Sequence, residues 1–155
     1  IGNDDWTSVQ INKEGWKIDD HVGHFYRSAG MSALPIPSNL ENPSEGWLSL
    51  IMGLGDTKEE KLIIAWLLGC FMPNGPFPLL VLQGEQGSGK SNLASMLRSL
   101  VDPNNADKTT LPGSERDLYV QGFNNYMLCY DNQRTLSKHQ SDWLCRMSTG
   151  GGYSN

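Results

Sequence analysis

Gly84-Glu85-Gln86-Gly87-Ser88-Gly89-Lys90-Ser91 brings glycines, a lysine and a hydroxyl into one short stretch, and it matches GxxxxGK[ST] throughout. The chemistry such a stretch serves is capture of a polyphosphate. Glycines let successive backbone N–H groups turn inward without Cβ clashes, which makes a concave anion site. A helix beginning near Gly89 would aim its unpaired N–H groups and positive dipole end at the same phosphates. Lys90 would bring a mobile charge to the β- and γ-phosphates, and the Ser91 hydroxyl would ligate Mg2+. The whole octet is therefore the candidate cradle for ATP and Mg2+.

A phosphate loop of this kind needs an acidic residue to hold the magnesium shell. Tyr126-Met127-Leu128-Cys129-Tyr130 is an apolar run ending in Asp131, which makes Asp131 the candidate, with Ser91, for the metal. Asp117 and Asp142 fit less well, because neither ends an apolar run. Hydrolysis also needs a group that orients or activates water. Many ring ATPases carry Glu directly after the acidic residue, where this chain has Asn132. Asn132 could orient the water, Asp131 could serve twice, or Glu85 or a residue outside the chain could act. The candidate catalytic set is Lys90, Asp131 and Asn132.

The elements around these residues fall into three textures. Residues 1–43 are short and turn-rich. Ser8-Val9-Gln10-Ile11-Asn12 alternates apolar and polar, Trp16-Lys17-Ile18 follows a Glu14-Gly15 turn, and His24-Phe25-Tyr26-Arg27 is a third extended candidate, so a small β-meander is expected. Leu34-Pro35-Ile36-Pro37 reads as an extended linker. Residues 44–75 form a helical pair, one helix near Ser44 to Met52 and one opened by a Thr57 to Glu60 capping box. Leu62 to Met72 is apolar on most faces, which predicts burial of the second helix between layers.

Residues 76–155 carry the chemistry. Leu79-Leu80-Val81-Leu82 reads as a buried parallel strand entering the glycine turn. Leu93, Met96, Leu97, Leu100 and Val101 form one amphipathic helix face, stopped by Asp102-Pro103. A polar loop leads to a second apolar strand, Tyr126 to Tyr130, and Ser137 to Ser148 reads as a helix with a Ser137/Gln140 capping box. The expected fold class is α/β, a phosphate-loop core with a parallel sheet flanked by helices and a small β-rich segment in front.

Composition narrows the class. With 155 residues, 38 % apolar and 19 % charged, the chain suits one soluble domain with a buried core. The longest apolar run, Leu62 to Met72, is too short to cross a bilayer, and no signal-like segment opens the chain. A formal charge of −5 gives no global electrostatic footprint for nucleic acid, so any DNA contact would be local. Cys70, Cys129 and Cys145 form no CxxC pair, which points to a reducing, cytoplasmic setting. A start at Ile1 and a stop just after a glycine triplet read as a piece cut from a larger protein. His21 and His24 lack a completing ligand set and read as turn residues. Arg116, Arg134 and Arg146 could stabilise transferred phosphate, although a solvated or ion-paired arginine is the commoner case.

From Trp47 to Asn155 the chain resembles the ATPase core of ATP-binding proteins from phages and other mobile elements, primase-associated helicases related to superfamily 3 and the wider AAA+ group. The residues carrying this resemblance are Ala65-Trp66-Leu67-Leu68, the run Leu79 to Ser91, Leu100-Val101-Asp102-Pro103, Glu115-Arg116-Asp117-Leu118, Tyr130-Asp131-Asn132 and Ser141 to Gly152. Gly15-Trp16 and Leu34-Pro35-Ile36-Pro37 are similar to the segment before that core. The resemblance implies a truncated P-loop NTPase core of the AAA+/RecA-like kind, ATP hydrolysis and a homo-oligomeric ring, a hexamer, threading DNA. It also implies that the sensor strand, arginine finger and last helices lie beyond Asn155. Three functions stand open at this point: an ATP-driven DNA motor of a mobile-element replication protein, a P-loop kinase acting on a small acceptor, and a non-hydrolysing nucleotide switch or assembly module.

Overall fold

In the computed structural model of the chain, the structure describes residues 5, 7–20, 28–36 and 57–151. Strands β1 (Ser8–Asn12) and β2 (Gly15–Asp19) form an antiparallel hairpin in which Val9 faces Ile18 and Ile11 faces Trp16. Two strands of the expected meander are thus present. The third, at His24–Arg27, lies outside the described residues, as do His21 and the helix expected near Ser44 to Met52.

Among the described residues four helices follow: α1 (Lys58–Gly69), α2 (Lys90–Val101), α3 (Glu115–Asn124) and α4 (Lys138–Ser148). Local chemistry sets their starts. The Thr57 hydroxyl accepts from the Glu60 N–H at α1, and Ser114 accepts from the Asp117 N–H at α3. At α4 the expected capping box is complete: Ser137 Oγ accepts from Gln140 N at 3.2 Å, and Gln140 Oε1 accepts from Ser137 N at 3.0 Å. Helix α3 occupies a stretch expected to be polar loop. Its apolar content is low, and only Leu118 is buried, at 0 % exposure.

The core lies between α1 and α2. Ile63 and Leu67 from the first meet Leu97 and Val101 from the second, with Trp66, Leu80, Leu93, Leu100 and Met127 packed around them. Helix α2 is amphipathic as its spacing predicts, with Met96 at the exposed margin of the apolar face. Helix α1 is not sandwiched between layers. One face is buried, while Leu62 and Leu68 stay exposed, so its all-round apolarity misleads about its depth.

The expected α/β architecture is corrected here. Among the described residues the only sheet is the antiparallel pair β1–β2, and no parallel sheet flanked by helices forms. Neither apolar run is a strand, and parallel pairing among the described residues is confined to a single bridge, Thr109 with Tyr130. A parallel sheet is stable when both faces are covered. In the first run Leu80 packs inward, whereas Leu79 is 54 % and Val81 is 70 % exposed, so only one face meets apolar partners. The chain is therefore not placed in the AAA+/RecA-like P-loop NTPase fold.

Two loops tie the rest together. Residues 28–32 dock on the turn after α2, where Ser32 N donates to Pro103 O and Asn105 N to Gly30 O. Trp66 Nε1 donates to Pro78 O at 2.8 Å, fastening α1 to the stretch that leads into the glycine turn. No described helix is long and apolar enough to cross a membrane.

Candidate nucleotide site

Gly87 and Gly89 take φ of 83° and 82°, a region costly for residues with a Cβ, so this turn requires glycine there. Gly89 is the residue at which α2 begins, and no side chain caps that helix. The contrast with α1, α3 and α4, each started by a hydroxyl, leaves the first N–H groups of α2 facing the turn with its positive dipole end.

Lys90 folds back over the loop. Its ammonium donates to Gly84 O at 2.8 Å, Glu85 O at 2.5 Å and Ser88 Oγ at 3.1 Å. Three donors meet three loop oxygens, which places the charge at the mouth of the turn. Phosphate oxygens arriving there could replace these neutral acceptors with stronger, charge-assisted ones. Residues 84–89 are exposed and Lys90 and Ser91 half-buried, so the mouth is open to a ligand.

The structure brings Asp131 to Ser91. The neighbouring Ser91 hydroxyl, more than any other influence, holds the Asp131 carboxyl below the usual carboxylate range. The Asn132 N–H adds a bond at 2.8 Å to Asp131 Oδ1, and the charges of Lys108 and Lys90 act in the same direction. Asn132 itself adopts φ 58°, a left-handed conformation that asparagine tolerates better than most residues. No group of three or more His, Cys, Asp or Glu side chains suited to a metal occurs among the described residues. A hydroxyl beside one carboxylate nevertheless fits Mg2+, which commonly takes one or two protein ligands and completes its shell with phosphate and water.

A buried network positions Asp131's segment. Arg98 and Asp102 are paired at 3.5 Å with side chains 3 % and 2 % exposed. The same guanidinium donates to Ala106 O, Asp107 O and Asn125 Oδ1 at 3.0, 2.9 and 3.1 Å. Asp102 Oδ2 accepts from Met127 N at 2.9 Å, so the pair fixes the beginning of the run that ends at Asp131. At the far end Thr109 N donates to Cys129 O and Asp131 N donates to Thr109 O, both at 3.0 Å. Sequence reasoning used Asp102 only as a helix stop and passed over Arg98. The available signal was an arginine on the apolar side of α2, adjacent to Leu97.

Arg146 pairs with Glu115 of α3, as the ion-paired reading anticipates. Glu85 and Arg134 are exposed, and Asp142 lies on α4 and Asp117 on α3. Cys70, Cys129 and Cys145 are free thiols, and burial raises the first two above the ordinary thiol value.

Comparison with protein families matches residues 47–154 to the model of the actinomycete integrative conjugative element replication protein. Comparison with curated proteins and with solved structures found no significant match.

Proposed function

Because the chain belongs to the actinomycete integrative conjugative element replication proteins, we propose that its Gly84–Ser91 loop binds ATP and that the replication protein is an ATP-driven DNA motor, a helicase. The observation that carries this reading is the meeting of Lys90, Ser91 and Asp131 at the uncapped start of α2. It rests on the loop and its neighbours, and it needs no parallel sheet.

In this reading the N–H groups of residues 87–91 and the Lys90 ammonium hold the β- and γ-phosphates. Ser91 and Asp131 would hold Mg2+, which would supply positive charge to offset the charge developing on the phosphates. Asn132, whose backbone N–H bonds Asp131 Oδ1, would orient the attacking water with its side-chain amide. Work on DNA would require the ring of identical subunits, a hexamer, that the family resemblance implies, since the net charge of −5 gives one copy little general attraction for DNA.

The test is ATP turnover by the intact replication protein with and without single-stranded DNA, beside its Lys90→Ala variant. Turnover stimulated by DNA and abolished in the variant is expected. Turnover indifferent to nucleic acid, or equal in the variant, would overturn the motor reading.

A further inference from the structure

We propose that Lys108 is a positioning residue that sets the spacing between Ser91 and Asp131, acting through a clasp with Ser95 and Asp107. The proposal rests on the nucleotide reading of the site, and it assigns a role to a cluster that reading does not use.

Ser95 lies one turn after Ser91 on α2, and its Oγ is 3.0 Å from Ser91 O and 2.6 Å from Asp107 Oδ2. Lys108 Nζ lies 2.5 Å from Ser95 Oγ and 2.9 Å from Asp107 Oδ2. A serine has one proton to give. The shorter contact and the negative charge direct it to Asp107, leaving the oxygen lone pairs for the ammonium. Lysine, serine and aspartate thus close a ring in which each pair is bonded. The Lys108 side chain is 24 % exposed and that of Asp107 49 %, so the ring is half-buried at its lysine and open at its carboxylate.

The next residue carries the other half of the argument. Thr109 receives Asp131 N and donates to Cys129 O, so the backbone beside Lys108 holds the Asp131 end of its run. Lys108 therefore stands at a seam, with helix α2 on its side-chain face and Asp131 on its backbone neighbour. The Arg98–Asp102 pair secures the distant Met127 end of that run, and the Lys108 clasp secures the end where the metal ligand sits. A hydroxyl and a carboxylate on different segments serve one cation only while their separation is fixed, and partners one step behind metal ligands affect affinity for that reason.

The experiment compares two titrations on the intact protein: ADP in the presence of a chelator, which reports the loop and Lys90, and ATP with Mg2+, which adds Ser91 and Asp131. Lys108→Met keeps the length and removes the charge. It should bind ADP without Mg2+ within about twofold of the parent, while the affinity gained with Mg2+ falls about tenfold or more. Lys108→Arg, which can still bond Asp107, should recover most of that gain, and thermal unfolding checks that each variant is folded. Ser95→Ala breaks the ring while keeping Lys108 and Asp107, and it should lose part of the gain, a test that stands if Lys108→Met does not fold. A full Mg2+ gain in Lys108→Met or Ser95→Ala, or an equal loss with and without Mg2+, would overturn the proposal. A parent that binds neither nucleotide, or a Lys90→Ala variant that binds as well as the parent, would overturn the nucleotide reading and the clasp with it.

Discussion

Replacing Arg98 with methionine should remove more stability than any surface change in this chain. The guanidinium, 3 % exposed, is bonded to the carbonyls of Ala106 and Asp107, to Asn125 Oδ1 and to the Asp102 carboxylate, itself 2 % exposed. Arg98→Met leaves Asp102 with Met127 N as donor but without the arginine, and too deep for water to take its place. Breaking a buried pair from one side costs about 3–5 kcal/mol. For a chain of this length that is a fall of roughly 6–20 °C in Tm, against a total stability of about 5–15 kcal/mol. Urea unfolding followed by tryptophan fluorescence measures it. Asp102→Asn keeps an acceptor for Met127 N and drops the charge, so the double variant should be more stable than the sum of the single losses, by about 0.5–3 kcal/mol. A loss below about 1 kcal/mol for Arg98→Met, or strict additivity in the double variant, would refute the argument that these charges compensate one another.

Other outcomes follow from the same geometry. Burial pushes the Tyr130 phenol up to about 12, so ultraviolet titration should show a late component that Tyr130→Phe removes. Because that folded value lies above the unfolded one, the stability tied to the neutral phenol is complete below about pH 10 and is lost as pH rises toward the folded value. Asp131 behaves in the opposite sense. Its folded value is depressed, first by the Ser91 hydroxyl, so its contribution is present above about pH 4 and drains away as pH falls through the folded value. Carboxyl NMR should show Asp131 titrating below an ordinary aspartate in the parent and closer to it in Ser91→Ala. Ser137→Ala removes the hydroxyl arm of the α4 capping box and should cost about 1 kcal/mol in urea unfolding.

What could be read from the sequence was set by short range. The glycine turn, the start of α2 at Lys90 and the Ser137 capping box are each decided within a few residues, and the structure has them where the spacing put them, while of the box expected at Thr57 it shows the hydroxyl arm. The Asp131 meeting with Ser91 came from reasoning about what a phosphate loop needs. Depth was harder. Leu79–Leu82 and Leu62–Met72 are apolar on every side, and composition alone cannot say which side finds a partner; Val81 and Leu68 find little. Helix α3 hid behind its polar residues, although Ser114 and Asp117 carried a capping spacing that could have revealed it. Arg98 and Lys108 were harder to see because Asn125 for the first and Ser95 for the second come near only through the fold after α2, and an arginine or lysine at such positions usually reads as solvated.

Titration of ATP with Mg2+ into the intact protein and into Lys90→Ala tests the central claim most directly. The ammonium that now bonds Gly84 O, Glu85 O and Ser88 Oγ is placed to transfer to phosphate oxygens. Saturable binding by the parent that Lys90→Ala abolishes or weakens by at least tenfold is the predicted result. Equal affinity in the two proteins, or no binding by either, would contradict the assignment of residues 84–91 as the nucleotide site.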